Sequence, residues 1–271
     1  MFYLAVESSH FIRFNHAAVR QATQVRQGYV TLSVVRGSRR VKGNLSLTGL
    51  LEADAAALLS ERATLLAQLS EVGDDPYLLL PAEVHSSERH EQGALPEPPT
   101  LVAAVVQAAA GLDFVGFYSG GAVVRAFADC RGQRNWHHVQ GFHFDWCLYH
   151  AADKAIKSAK PAQVSLVDAG LATLGTGLYV SKLWYLNYSD RPACRMTGMT
   201  RFSCFWVEGG KLVAPVNVMR FDDSFLRMFG EGLVALTRHT ELIPDSSTYR
   251  ERQLNSITTP GALVSDWCLT L

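Results

Sequence analysis

From Tyr29 to Leu47 apolar and polar positions alternate. In YVTLSVVRGSRRVKGNLSL, Val30, Leu32 and Val34 alternate with Thr31 and Ser33. Beyond Gly37-Ser38, Val41, Leu45 and Leu47 alternate with Arg40, Lys42, Asn44 and Ser46. A period of two around a two-residue turn predicts a hairpin with one buried face, and strand character extends back to Phe11. The period then changes. Leu51, Ala55, Leu58, Leu65 and Leu69 fall on one helical face, Glu52 and Asp54 suit the positive end of the helix dipole, and Thr48 is a candidate cap. Gly73 and Asp74-Asp75-Pro76 end that helix.

Residues 81–99, rich in Glu, His, Ser and Pro, read as a mobile polar connector. Pro98 or Pro99 suits the first turn of a following apolar helix, Leu101 to Leu112, which is expected to be buried. From Asp113 to His150 strand-like runs break at Gly120-Gly121, Gly132 and Gly141, predicting a meander of three or four strands. A Lys-rich piece, DKAIKSAKPAQ, and a helix-like one, SLVDAGLATLG, precede a long strand, GLYVSKLWYLNY. A hairpin turns at Gly209-Gly210, a helix is expected around 223–237, and a last strand over 263–271. No fixed-period repeat is visible. The order of elements predicts an α+β fold of two mainly antiparallel β-sheet units flanked by helices, residues 1–160 and 161–271, with the boundary near Lys160.

Composition narrows the functional classes. The chain has 271 residues, 48% of them apolar, enough for one large domain or two modest ones. With 25 basic and 25 acidic residues the formal charge is zero, so no long-range field draws it to nucleic acid. The longest uncharged apolar run is shorter than the ~20 residues of a membrane-spanning helix, and the N-terminus lacks the pattern of a secretion signal. A cytoplasmic protein with no membrane association is expected. Five scattered cysteines without a CxxC pair argue against a disulfide framework or zinc ribbon and predict free, mostly buried thiols.

The stretch CRGQRNWHHVQGFHFDWCLYH, Cys130 to His150, concentrates candidate chemistry. On a strand, Phe142, Phe144, Trp146 and Leu148 point one way and His143, Asp145, Cys147 and Tyr149 the other. The aromatic row is a core face. The polar row, with His137 or His138 from earlier in the chain, is a candidate metal site. Zinc needs three or four N or S atoms converging at ~2.0 to 2.3 Å, which alternation on one strand does not itself supply. A relay of Cys147, His143 and Asp145 has the same difficulty, because neighbouring same-face side chains point in parallel. Arg191, Arg195 and Arg201 cluster around a turn and are candidates for binding a substrate carboxylate, or form a solvated basic loop. Gly175-Thr176-Gly177 precedes a strand, not a helix, and so lacks phosphate-loop geometry.

Two stretches carry a family resemblance. ADCRGQRNWHHVQGFHFDWCLYHAADKAIKS resembles a segment near the end of the N-terminal domain in one branch of the TldD/PmbA proteins. LGTGLYVSKLWYLNYSDRPACRMTGMTRFSCFWVEGGKLVAPVNVMRF resembles their C-terminal signature, and the hairpin and helix from Phe11 to Gly73 are similar to their N-terminal unit. The resemblance implies a cytoplasmic, peptidase-related protein that works as a homodimer, or as a heterodimer of a zinc-bearing TldD-type chain with a metal-free TldE/PmbA-type chain. It implies capture of small extended peptides as an added strand through main-chain hydrogen bonds.

The chain departs from that family where zinc would bind. Metal-bearing members use a helical HExxxH and a Cys near the C-terminus. Here His90-Glu91 is followed by Gln92, Gly93, Ala94 and Leu95, with no second His, and no Cys lies between Glu241 and Pro260. The family's central segment carrying that helix is replaced by little more than PAQVSLVDAGLAT. The expectation is a shortened, catalytically silent TldE/PmbA-like subunit without a cofactor of its own, zinc residing in a TldD-type partner. The alternatives are a stand-alone metallopeptidase with a relocated site at His137, His138 and His143, and a peptide-binding or assembly module.

Overall fold

The computed structural model of the chain describes residues 1–151, 154–157 and 170–270. The expected domain boundary near Lys160 and the first five residues of the helix-like SLVDAGLATLG lie outside the described residues; residues 170–174 are helical, here α3.

Its largest element is a sheet of seven strands. These are β1 (Phe2–Asn15), β2 (Ala18–Arg36), β3 (Arg39–Ser46), β4 (Ser87–Gln92), β5 (Asp113–Ala128), β6 (Arg134–Ala151) and β7 (Lys154–Lys157), ordered β3-β2-β1-β5-β6-β4 with β7 also on β6. All pairings are antiparallel except β4 on β6. The predicted hairpin at Gly37-Ser38 is β2–β3, and Val30 is fully buried on its inner face. The expected break at Gly132 is a turn between β5 and β6. Those at Gly120-Gly121 and Gly141 are not turns, because Gly121 and Gly141 are opposite each other inside the β5–β6 ladder. Each strand absorbs its glycine, since the neighbouring strand satisfies the backbone on either side.

One face of this sheet is apolar. Ile12, Phe14, Phe114 and Tyr118 form a core with Ala109, and Phe144, Trp146 and Leu148 join them as the alternation predicts. Over them lies α2 (Pro98–Ala108), with proline in its first turn, contributing Leu101, Val102, Val105 and Val106. It is half-buried rather than buried, because only one side meets the sheet. Helix α1 (Leu51–Gln68) covers the β2–β3 end through Leu65 and Leu69, whereas Leu51 is 84% exposed. Thr48 does not cap α1. Asp54 instead reaches back and accepts hydrogen bonds from the Thr48 amide (2.8 Å) and hydroxyl (2.8 Å) and the Gly49 amide (3.0 Å), and these hold its carboxyl below the usual range.

β4 lies where a mobile connector was expected. Its side chains are almost all exposed, so it carries no apolar period to read. Its backbone ladder on β6 is supported by Asn135, whose amide donates to the His85 carbonyl and the Ser87 hydroxyl.

The C-terminal half forms smaller antiparallel sheets. β8 (Gly177–Tyr179), β11 (Phe205–Glu208) and β12 (Lys211–Pro215) make one, with the expected Gly209-Gly210 turn joining the last two. β9 (Leu183–Asp190), β10 (Arg195–Thr200), β13 (Arg220–Ser224) and β16 (Leu269–Thr270) make a second, and the hairpin β14 (Leu233–Pro244) with β15 (Ser256–Val264) a third. The single long strand expected over 177–188 is divided between two sheets. The expected helix 223–237 shrinks to α4 (Phe225–Phe229), after which Gly230 and Gly232 release the backbone and β14 begins. None of the five cysteines is in a disulfide, and only Cys204 is buried.

The α+β architecture of mainly antiparallel sheets with flanking helices is thus observed. Among the described residues no helix is long and apolar enough to cross a membrane.

Candidate functional site

Opposite its apolar face, the large sheet turns polar side chains toward the C-terminal half. Register fixes these rows, because directly paired residues share a face. Glu7 lies opposite Val123, Ser9 opposite Gly121 and Phe11 opposite Ser119. Gly121 lies opposite Gly141, Ser119 opposite His143 and Arg125 opposite His137. Glu7, Ser9 and Ser119 are each buried to 1% exposure or less.

The group that seals this face comes from the far end of the chain. The segment 245–255 between β14 and β15 crosses the sheet and inserts Arg252, which is 2% exposed. Its Nη1 donates to the Ser9 hydroxyl (3.1 Å) and the Gly121 carbonyl (3.2 Å), and its Nη2 to the Gly141 carbonyl (2.8 Å). Its backbone amide donates to Glu7 Oε2 (3.0 Å), and its carbonyl accepts from Arg125 Nη2 (2.9 Å). Arg125 also pairs with Glu251 at 3.2 Å, and Gln27 Nε2 donates to both Glu7 Oε2 and the Arg250 carbonyl. Gly121 is required here because a Cβ would lie 2.1 Å from the Ser8 carbonyl oxygen.

Electrostatics follow from this burial. Desolvation lowers the Arg252 pKa, with Glu7 and Tyr118 opposing it and Arg125 adding to it. Desolvation also lowers His143, the nearby Arg252 charge lowers it further, and Asp245 partly restores it. Both effects favour neutral His143 beside the guanidinium.

The sequence-derived metal candidates do not converge. His137 and His143 share a face but lie six positions apart, roughly 20 Å along a strand. His138 points to the opposite face, its ring centroid 5.8 Å from that of His90. Asp145 and Cys147 share the face of His143 and project alongside it, as the strand period requires. Among the described residues no three His, Cys, Asp or Glu side chains group as metal ligands. His90-Glu91 sits on a strand, not a helix. The residues present therefore do not fit the zinc centre that the resemblance implies for TldD-type chains.

The three candidate arginines each engage a different neighbour. Arg195 pairs with Asp222 at 2.8 Å, Arg201 stacks 3.7 Å above the Trp184 ring, and Arg191 lies 5.8 Å from the Tyr188 ring centre. Arg252 carried no local signal in the sequence, because its partners come from residues more than a hundred positions away.

Comparison with known proteins relates the C-terminal half and the fold to others. Residues 158–270 match the family model described as the PmbA/TldA metallopeptidase C-terminal domain. The fold is similar to that of a proposed modulator of a DNA gyrase from Thermotoga maritima, with a TM-score of 0.60 at 8% identity over 99% of this chain and 95% of that one. It is similar to TldE from Thermococcus kodakarensis, with a TM-score of 0.56 at 8% identity over 99% and 96% of the two chains. For a proposed modulator of DNA gyrase from Bacteroides thetaiotaomicron the TM-score is 0.53 at 11% identity, over 96% and 93%. No curated protein matches by sequence.

The family match covers the C-terminal residues 158–270, and the likeness to the solved structures extends a shared fold along nearly the whole chain. Both findings agree with the TldD/PmbA resemblance seen in the sequence.

Proposed function

We propose that this chain is a catalytically silent, TldE/PmbA-like subunit that works in the cytoplasm with a TldD-type zinc metallopeptidase in processing small extended peptides. The observation that carries this reading is the position of Arg252. The resemblance puts the C-terminal zinc ligand of metal-bearing members on the stretch between Glu241 and Pro260. That stretch here delivers a buried guanidinium instead. A fixed positive charge repels a divalent cation strongly where water does not screen it. The dispersed His137, His138 and His143 support the same reading and disfavour a relocated centre.

The test is zinc content, native mass and peptide hydrolysis, measured for the purified chain alone and mixed with a TldD-type HExxxH protein. The expected result is no stoichiometric zinc and no hydrolysis alone, with a mixed complex that cleaves. Chelator-sensitive hydrolysis by this chain alone, with about one equivalent of zinc lost in His143→Ala, would refute it.

A further inference from the structure

Segment 245–255 lies on the sheet in the manner of a bound peptide. It forms no strand there. Its main chain is instead held by three side chains of the large sheet: Gln27 on the Arg250 carbonyl, Glu7 on the Arg252 amide and Arg125 on the Arg252 carbonyl. Such contacts are indifferent to sequence. One side chain is read specifically, as Arg252 enters a slot whose acceptors are Ser9 Oγ and the Gly121 and Gly141 carbonyls. These approach two different nitrogens, which suits the planar fork of a guanidinium and not the single ammonium of lysine.

Two further features distinguish a slot from ordinary packing. Glu7 is 1% exposed, yet its Oε1 has no hydrogen-bond partner among the described residues, and neither has Arg252 Nε. The carboxylate therefore has unused capacity for a guanidinium, and the resident arginine does not use it. The segment can also leave as a unit. The β14–β15 ladder runs out to Pro244 and Ser256, and the Asp245 amide closes the neck on the Asn255 carbonyl at 2.8 Å. Lifting residues 246–254 breaks none of those bonds.

We propose that the polar face of the large sheet is a receptor for an arginine side chain of an extended peptide, and that residues 250–252 occupy it in cis as a resident mimic. This names a substrate class for the peptide-handling role and rests on that reading for its biological setting. Binding itself needs neither zinc nor a partner, so the two ideas fail separately.

The probe is a fluorescent octapeptide of residues 248–255, TYRERQLN, with counterparts carrying Gln or Lys at the position of Arg252. The Arg252→Gln protein is expected to bind the parent peptide about tenfold or more tightly than either counterpart, since a charge-assisted set of hydrogen bonds is lost in each. Wild-type protein is expected to bind the parent more weakly than Arg252→Gln does, because its slot is filled. Hydrogen exchange on the wild type covers failure of that variant to fold. Excess parent peptide should speed exchange of amides 246–254, and the Gln counterpart should not. Equal binding of the three peptides by Arg252→Gln overturns the proposal, as does exchange in the wild type that ignores the parent peptide.

Discussion

The Arg252 amide donates to Glu7 Oε2 at 3.0 Å, joining residues 245 positions apart. That bond and the guanidinium beside it fix the last hairpin segment to the first strand. Three hydrogen bonds of a buried cation depend on Arg252, so Arg252→Ala should destabilise the protein by about 2 to 4 kcal/mol. A fall in urea midpoint checks this. Glu7→Gln keeps the shape and one acceptor, and should cost less than Arg252→Ala.

The second prediction concerns pH and His143. Its folded-state pKa is lowered, so the folded state binds fewer protons than the unfolded chain just below neutrality. Its contribution is fully present above the ordinary histidine value of about 6.5 and is lost as pH falls through the window below it. Stability should therefore drop on mild acidification, and His143→Gln should flatten that part of the profile. Thermal melts between neutral and mildly acidic pH test it.

Asp223 titrates far lower. It is 3% exposed, and the Arg227 guanidinium, with the Cys268 and Ser224 amides, holds its pKa at about 2 against burial. Its stabilisation is complete above the ordinary value of 3.8 and fades as pH falls toward 2. Asp223→Asn should cost about 2 kcal/mol at neutral pH and far less near the folded-state pKa, as denaturant midpoints would reveal.

Two opposed glycines should respond differently to alanine. At Gly121 a new Cβ meets the Ser8 carbonyl at 2.1 Å and Ser9 Cα at 2.7 Å, so backbone must move. At Gly141 nothing lies within 4 Å of the added atom. Gly121→Ala should lose about 2 kcal/mol or more, and Gly141→Ala should stay within about 1 kcal/mol of wild type. Equal effects from the two substitutions would contradict the register given for β5 and β6.

Much of the fold was legible because it rests on local periods. The alternation around Gly37-Ser38, the two faces of Phe142 to Tyr149 and the turn at Gly209-Gly210 each depend on side chains a few positions apart. β4 escaped because an exposed edge strand needs only its backbone. Gly121 and Gly141 misled because a local reading treats glycine as a chain break, whereas here they face each other within a ladder. The cluster of His137, His138 and His143 was conspicuous in sequence, but strand geometry separates its members.

The sequence by itself determined the class of fold, the apolar face that α2 covers and the missing second histidine after His90-Glu91, because these are properties of short stretches or residue types. Only the tertiary structure decided that Arg252 is the residue at the centre of the polar face. A buried charge is defined by what surrounds it, and its surroundings at Glu7, Ser9, Gly121 and Gly141 come from three strands that meet it only once the chain has folded.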